Sequence, residues 1–270
     1  MSAPRIYLNG ATIMTTPTDS HIEIARHTGY DGVEVRAERL LGDAEELARA
    51  SRVVRPGEVW SLNGVRIAIA ADGSLERALL ERDLQPRLEI CRVLGAQYLL
   101  VVPPRSAALT TDLAIPALRD GLALTRDAAA RAGVGVAFEF LGFFDCPVRT
   151  PTEVARAVDG LDGVDLVLDS CHWHASGSEP LDAFPVERLA MVHLNDAPQK
   201  EPSRIEDGDR LLPGEGVIRL PSLISQLEAR GYRGPFGVET FNPSHWAADP
   251  VEIAQRGRTA VRELLVTTGT

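Results

Sequence analysis

Short apolar segments recur along the whole chain, and longer stretches of helical periodicity separate them. Each short segment is a nearly continuous run rich in Val, Ile, Leu or Phe, which is typical of parallel strands buried on both faces. The pattern predicts eight strands, at residues 5–9, 32–36, 59–63, 98–103, 135–139, 165–169, 190–194 and 236–239. Apolar residues at helical spacing predict helices at residues 18–28, 43–54, 75–94, 113–132, 152–158, 220–230 and 250–265.

Strands and helices alternate from one end of the sequence to the other without a linker. Such alternation implies a parallel sheet with right-handed crossovers. Eight strands within 270 residues favour closure of the sheet. The predicted fold is therefore α/β, a single (β/α)8 TIM barrel, with one domain spanning residues 1–270. A dinucleotide-binding sheet has no support, because no Gly-x-Gly-x-x-Gly motif follows the first strand.

The amino-acid composition limits the kinds of molecule that the protein is expected to bind. A formal net charge of -10 argues against electrostatic binding to nucleic acid or to an anionic membrane. The three cysteines are too few for a disulfide framework. The N-terminal residues lack the apolar core of a signal peptide, and no apolar run reaches the ~18 residues of a membrane span. We therefore expect a cytoplasmic protein that binds neither nucleic acid nor membrane; a homo-oligomer is compatible with the sequence.

Four successive predicted strands end in a residue type that binds divalent metals, namely Glu139, Asp169, His193 and Glu239. Taken singly, each has an ordinary alternative: a capping or solvated carboxylate, or a hydrogen-bonded buried histidine. In a barrel of this type the active site lies at the C-terminal ends of the strands, and neighbouring strands are ~4.8 Å apart. We therefore expect the four side chains to converge, and three clustered carboxylates would repel one another without a counter-charge. The set predicts one divalent ion, with Mn²⁺ as first choice and Zn²⁺, Co²⁺ or Mg²⁺ as alternatives.

Further polar and aromatic residues follow these strand ends. His172 comes three residues after Asp169 and is expected to contact the substrate or a ligand. Asp196 either supports the site or forms a turn. Trp246 either walls the pocket, as aromatic rings do against sugar faces, or packs in the core.

Two other features are interpreted from their context. The connection at residues 195–216 is long for a compact barrel, which favours an active-site loop over a surface excursion. His21 and His27 fall on the first predicted helix and are expected at the surface.

Several motifs together resemble a known family: residues 29–36, 138–142, 166–177, 192–196, 209–216 and 237–241. The stretches Asp-Ser-Cys-His-Trp-His-Ala and Asp-Arg-Leu-Leu-Pro-Gly-Glu-Gly are the most specific. They resemble the xylose-isomerase-like barrel family of sugar isomerases and epimerases, and within it most closely the 2-keto-myo-inositol (inosose) isomerases. The resemblance implies that Glu139, Asp169, His193 and Glu239 bind the metal, and that His172 and Arg210 approach the substrate.

The expected reaction is a proton transfer within a small polyhydroxy ketone, either an inosose or a ketose. One of Glu139 and Glu239 would abstract the proton next to the carbonyl, and the other would return it, through an enediolate whose charge the metal holds. Isomerisation and epimerisation both remain open. A metal-dependent dehydratase or lyase on the same barrel is an alternative, as is a non-catalytic binding or partner subunit.

Overall fold

Eight parallel strands close into a barrel in the order in which they occur in the sequence. The computed structural model describes residues 4–268. Closure is made by the pairing of the first strand with the last, with Ile6 opposite Phe236. The strands are β1 Ile6–Asn9, β2 Gly32–Arg36, β3 Val59–Arg66, β4 Tyr98–Val102, β5 Gly135–Glu139, β6 Asp165–Asp169, β7 Leu189–Leu194 and β8 Phe236–Val238. The predicted (β/α)8 barrel is confirmed.

Helices pack around the barrel and connect its strands. They are α1 Thr18–His27, α2 Ala37–Leu40, α3 Ala44–Val53, α4 Arg77–Leu94, α5 Thr111–Arg131, α6 Pro151–Val158, α7 Ser170–Ala175, α8 Leu220–Ala229, α9 Pro243–Ala247 and α10 Pro250–Thr268. The sequence did not predict α2, α7 and α9, because helices of four to six residues carry too few positions to show a period. None of the helices described combines the length and the apolar character needed to cross a bilayer.

The interior of the barrel is divided into an apolar layer and a polar layer. Alternate strand residues point inward, so Ala137, Val167 and Met191 are followed two residues later by Glu139, Asp169 and His193. The first three belong to an apolar cluster with Tyr7, Trp60 and Leu100. The barrel is thus sealed below its C-terminal end, and the polar layer faces the strand-to-helix loops.

The burial of His21 corrects one expectation from the sequence. His27 is exposed as expected, but His21 is buried, with Nε2 3.0 Å from the carbonyl oxygen of Leu8. Burial lowers the pKa of His21 to about 4. Its position on the inner face of α1 explains the error, since that face packs against the barrel.

Candidate active site

The four strand-end residues singled out from the sequence lie together at the C-terminal end of the barrel. One ligand atom from each of Glu139, Asp169, His193 and Glu239 lies within 4.8 Å of the others, and all four residues are buried. Glu139 and Asp169 are the last residues of β5 and β6, His193 is the penultimate residue of β7, and Glu239 directly follows β8. Parallel strands of matched register therefore deliver all four side chains to one point.

His193 is fixed between carboxylates on both sides of its ring. Its Nε2 lies 2.9 Å from Oε1 of Glu34, whereas Nδ1 lies 3.2 Å from Glu139 and 3.3 Å from Glu239. Burial lowers the pKa of His193, but the attraction of Glu34, Glu239 and Glu139 outweighs it and raises the pKa well above its ordinary value. Glu34 was not predicted as a site residue from the sequence; the signal for it was a carboxylate between Val33 and Val35 in strand β2.

Arg210 enters the cluster from the long connection after β7 and is almost completely buried. Its Nη1 donates to Oδ2 of Asp169 at 3.0 Å and to Oε2 of Glu239 at 2.9 Å. Its Nη2 lies 2.8 Å from Nε2 of His172. A guanidinium group can only donate, so Nε2 of His172 accepts, and the ring proton of neutral His172 lies on Nδ1.

The pKa of His172 agrees with this neutral tautomer. Burial, followed by the positive charge of Arg210, lowers the pKa of His172 well below its ordinary value. The buried Nδ1 has no hydrogen-bond partner among the described residues. His172 therefore has one unused N–H donor beside the carboxylate cluster.

The two glutamates of the cluster differ in acidity. Burial, with the nearby Glu239 and Asp169 carboxylates, raises the pKa of Glu139 to about 7, although His193 acts in the opposite direction. Burial also raises the pKa of Glu239, but His193, Arg210 and Arg36 outweigh it and hold the pKa well below its ordinary range. Two carboxyl groups with pKa values pushed apart are suited to acid and base roles.

Asn195 orients Asp169 from the end of β7. Its Nδ2 donates to Oδ2 of Asp169 at 2.6 Å and to the carbonyl oxygen of Glu239 at 2.8 Å. Its Oδ1 accepts the backbone N–H of Cys171 at 2.9 Å. Asn195 was not predicted as a site residue from the sequence, although it lies two residues after His193, on the same side of the extended chain.

A cavity of about 490 Å³ opens above the cluster. Its walls include Glu139, Glu239, His172 and Arg210, which places the connection at residues 195–216 beside the cavity as expected. Asp196 and Trp246 are not among the described residues that line it. Asp196 accepts the backbone N–H groups of Gly214 and Ile218 and so holds the loop's turns. The indole of Trp246 donates to the carbonyl oxygen of Ala11.

The donor set matches the needs of a divalent ion. Three carboxylates supply hard oxygen ligands, and His193 offers Nδ1 once its Nε2–H is donated to Glu34. A carboxylate behind a histidine in this way is the usual support for a metal-binding imidazole. The residues present therefore fit a single divalent ion.

The family follows from comparison with known proteins. The sequence model of the family described as xylose isomerase-like TIM barrel matches residues 22–264. The chain belongs to this family. The resemblance noted from the sequence motifs is thereby confirmed.

Individual known proteins resemble the chain over most of its length. It is 28% identical to an inosose isomerase of Bacillus velezensis, with 93% of this chain and 94% of that protein covered. It is 26% identical to a 3-dehydroshikimate dehydratase of Pseudomonas putida, covering 87% of this chain but 38% of that protein. Among solved structures, the crystal structure of the IOLI protein with a binding zinc atom superposes with a TM-score of 0.87 at 25% identity, covering 98% of this chain and 99% of that one.

Proposed function

We propose that the protein is a divalent-metal-dependent isomerase or epimerase of α-hydroxyketones, of the inosose or ketose class. The observation that carries the proposal is the convergence of Glu139, Asp169, His193 and Glu239 below an open cavity that Glu139 and Glu239 line. Similarity to an inosose isomerase over nearly the full length of both chains supports the substrate class. Glu139 and Glu239 both line this cavity and come from different strands, which supports proton transfer as the chemistry.

Glu139, Asp169, His193 and Glu239 are the proposed ligands of the ion. Mn²⁺ is our first choice from the donor set, and Zn²⁺ is supported by the zinc in the similar IOLI structure; Co²⁺ and Mg²⁺ also suit the donors. When bound, the ion supplies Lewis-acid polarisation of the substrate carbonyl, which acidifies the adjacent C–H.

Glu239 and Glu139 are the proposed proton carriers. Arg210 donates to Oε2 of Glu239 at 2.9 Å and favours its ionised form, so this carboxylate is suited to accept the proton from the carbon next to the carbonyl. Glu139 reaches the site from β5 and not from β8, so in its protonated form it is suited to return a proton to the neighbouring carbon or to the opposite face. The first outcome is isomerisation and the second is epimerisation.

His172 and Arg210 are proposed to position the substrate. The free Nδ1–H of His172 can donate to a substrate oxygen, and Arg210 holds the acceptor nitrogen of that ring in place. Phe143 packs edge-on against the His172 ring, with 4.8 Å between ring centroids, and excludes water from that side.

The test is elemental analysis of purified protein, followed by hydrogen–deuterium exchange in heavy water across a panel of inososes and ketoses. We expect exchange at the carbon next to the carbonyl, and a loss of about 10²–10⁴-fold in Glu139→Gln and in Glu239→Gln. Glu45→Gln, an exposed glutamate on α3, serves as the control and should exchange normally. Retention of exchange in both active-site variants would reject the assignment.

A dehydratase reaction is the second candidate. Similarity to a 3-dehydroshikimate dehydratase over most of this chain favours it, since the same proton abstraction can precede loss of a leaving group. Mass spectrometry of the product separates the two reactions. An isomer keeps the mass of the substrate, whereas a dehydration product lacks one water.

A further inference from the structure

Arginine side chains are concentrated on the wall of the active-site cavity. Five of them line it: Arg36, Arg66, Arg87, Arg105 and Arg210. Four of the five are committed to acidic neighbours by salt bridges. The exception is Arg66, which is exposed and whose side chain makes no hydrogen bond or salt bridge within residues 4–268.

Two further arginines are held next to this free one. Arg66 is the last residue of β3, and Arg87 on α4 donates to the carbonyl oxygen of Gly64 at 3.0 Å, two residues before it. Arg105 follows β4 and donates through Nε to Asp145 at 2.9 Å. Arg66 and Arg105 both lie close enough to the buried Cys146 thiol to lower its pKa, against the larger rise to about 12 that burial causes.

The three arginines also line a second cavity of about 480 Å³. Arg66, Arg87 and Arg105 therefore stand where the two cavities adjoin. A substrate group bound by these three arginines could therefore belong to a molecule that occupies the active-site cavity.

The arginines lie across the barrel mouth from the proposed catalytic groups. They stand at the ends of β3 and β4, whereas the carboxylate cluster stands at the ends of β5 to β8. In the closed barrel, β3 lies opposite β7, the strand that carries His193. A substrate whose reacting carbons lie at the cluster would extend its far end towards Arg66.

The charges on the cavity wall formed by Arg66, Arg87 and Arg105 indicate what charge the remote end of the substrate carries. Arg87 is neutralised by Asp83, and Arg105 by Asp145 and Glu206, but the charge of Arg66 is not compensated. In a chain of net charge -10, a free guanidinium on the wall of a substrate cavity favours an anion. A planar guanidinium fork also matches the geometry of carboxylate and phosphate oxygens.

We infer that the substrate carries an oxyanion group, a carboxylate or a phosphate, at the end remote from its ketone, and that Arg66 binds this group with Arg87 and Arg105 beside it. The inference rests on the proposed function for its account of the reacting end. A fully neutral polyol would leave the charge of Arg66 without a partner.

A matched set of ketoses tests the inference. D-Fructose, D-fructose 6-phosphate and D-fructuronate differ only at the carbon remote from the ketone, and exchange of each with heavy water is measured with the metal-loaded protein. We expect kcat/KM to be at least about tenfold higher for one of the two anionic ketoses, and which one is preferred separates phosphate from carboxylate. Equal values for all three would overturn the inference while leaving the proposed function intact.

Arg66→Gln provides the second arm, with Arg52→Gln, an exposed arginine on α3, as the control. In Arg66→Gln, we expect KM for the preferred anionic ketose to rise about tenfold, with a much smaller change in kcat. Arg52→Gln should match the unmodified protein. A rise in KM that is equal for the neutral and the anionic ketose would contradict a role in binding the anion.

Calorimetric titration of the metal-free protein with inorganic phosphate and with acetate separates failure of the inference from failure of the proposed function. If no ketose exchanges, the proposed function is rejected, and binding of these two anions decides the inference alone. Binding of either anion that weakens about tenfold in Arg66→Gln but not in Arg52→Gln supports an anion site. Binding of neither anion, or binding that both variants retain, overturns it.

Discussion

Glu34 and His193 form a buried pair in which Oε1 of Glu34 lies 2.9 Å from Nε2 of His193. The pair joins β2 to β7 across the barrel and turns the other ring nitrogen of His193 towards Glu139 and Glu239. Glu34 is itself held by the hydroxyl of Ser61, which lies 2.8 Å from its Oε2. Glu34, which is not one of the four proposed metal ligands, therefore determines which ring nitrogen of His193 faces the metal site.

Replacement of Glu34 is the first prediction. In Glu34→Gln the side chain keeps its size but loses its charge, so it fixes the ring of His193 less strongly and makes Nδ1 less basic. We expect the affinity for the divalent ion to fall by about 10–100-fold. Competition with a chelating dye measures the affinity, and Glu45→Gln, an exposed glutamate on α3, is the control. Unchanged affinity for the divalent ion in Glu34→Gln would show that the Glu34–His193 pair contributes to packing inside the barrel and not to metal binding.

Removal of Arg210 is the second prediction. Arg210→Met leaves Asp169 and Glu239 buried without their cation, so we expect the metal-free protein to lose about 3–5 kcal/mol of unfolding free energy near pH 8. The loss should shrink as the pH falls, because protonated carboxyl groups need no counter-charge. Urea unfolding with a chelator present measures this.

The matched control for Arg210 is Arg256→Met. Arg256 pairs with Glu215 at 2.8 Å, but the two side chains are 47% and 39% exposed, so little change in stability is expected. Equal losses in the two variants, or a loss in Arg210→Met that does not vary with pH, would contradict the buried-pair account.

Metal binding should release protons, which is the third prediction. In the absence of an ion, His193 has a pKa raised well above its ordinary value, and the pKa of Glu139 is about 7. An ion must displace protons from these groups, so its affinity should rise with pH by at least about tenfold per unit below pH 7. Calorimetry in two buffers of different ionisation enthalpy counts the protons released at pH 7.

The same titration in Glu139→Gln checks the source of these protons. The amide holds no titrating proton, so fewer protons should be released than by the unmodified protein. Glu45→Gln should release the same number as the unmodified protein. An affinity that does not change between pH 6 and pH 8 would contradict the pKa values of the cluster.

The sequence predicted the barrel and its four central residues because both depend on strand pattern alone. A strand residue that points inward at the C-terminal end reaches the same point in any closed parallel barrel, so Glu139, Asp169, His193 and Glu239 were recognisable from their positions. Strand limits were also close; the main difference is β3, which continues to Arg66.

What the sequence could not provide is the pairing between elements distant along the chain. The contact of Glu34 with His193 spans 159 residues, and that of Arg210 with Asp169 spans 41. No local period reports which polar side chains will meet across a barrel. For the same reason the sequence left two positions open for Trp246, the pocket wall and the core, and did not show that its indole would donate to the carbonyl oxygen of Ala11.

The burial of His21 against the barrel is another contact that the sequence did not show, and it gives the fourth prediction. Because burial lowers its pKa to about 4, the unfolded chain binds a proton more tightly than the folded one between pH 6.5 and 4. Stability is therefore full above pH 6.5 and should fall by about 3 kcal/mol on acidification to pH 4 through this group. In His21→Gln this part of the pH dependence should disappear from urea unfolding curves. His27→Gln, on the exposed side of the same helix, should retain it; identical pH slopes in both variants would contradict the burial of a neutral His21.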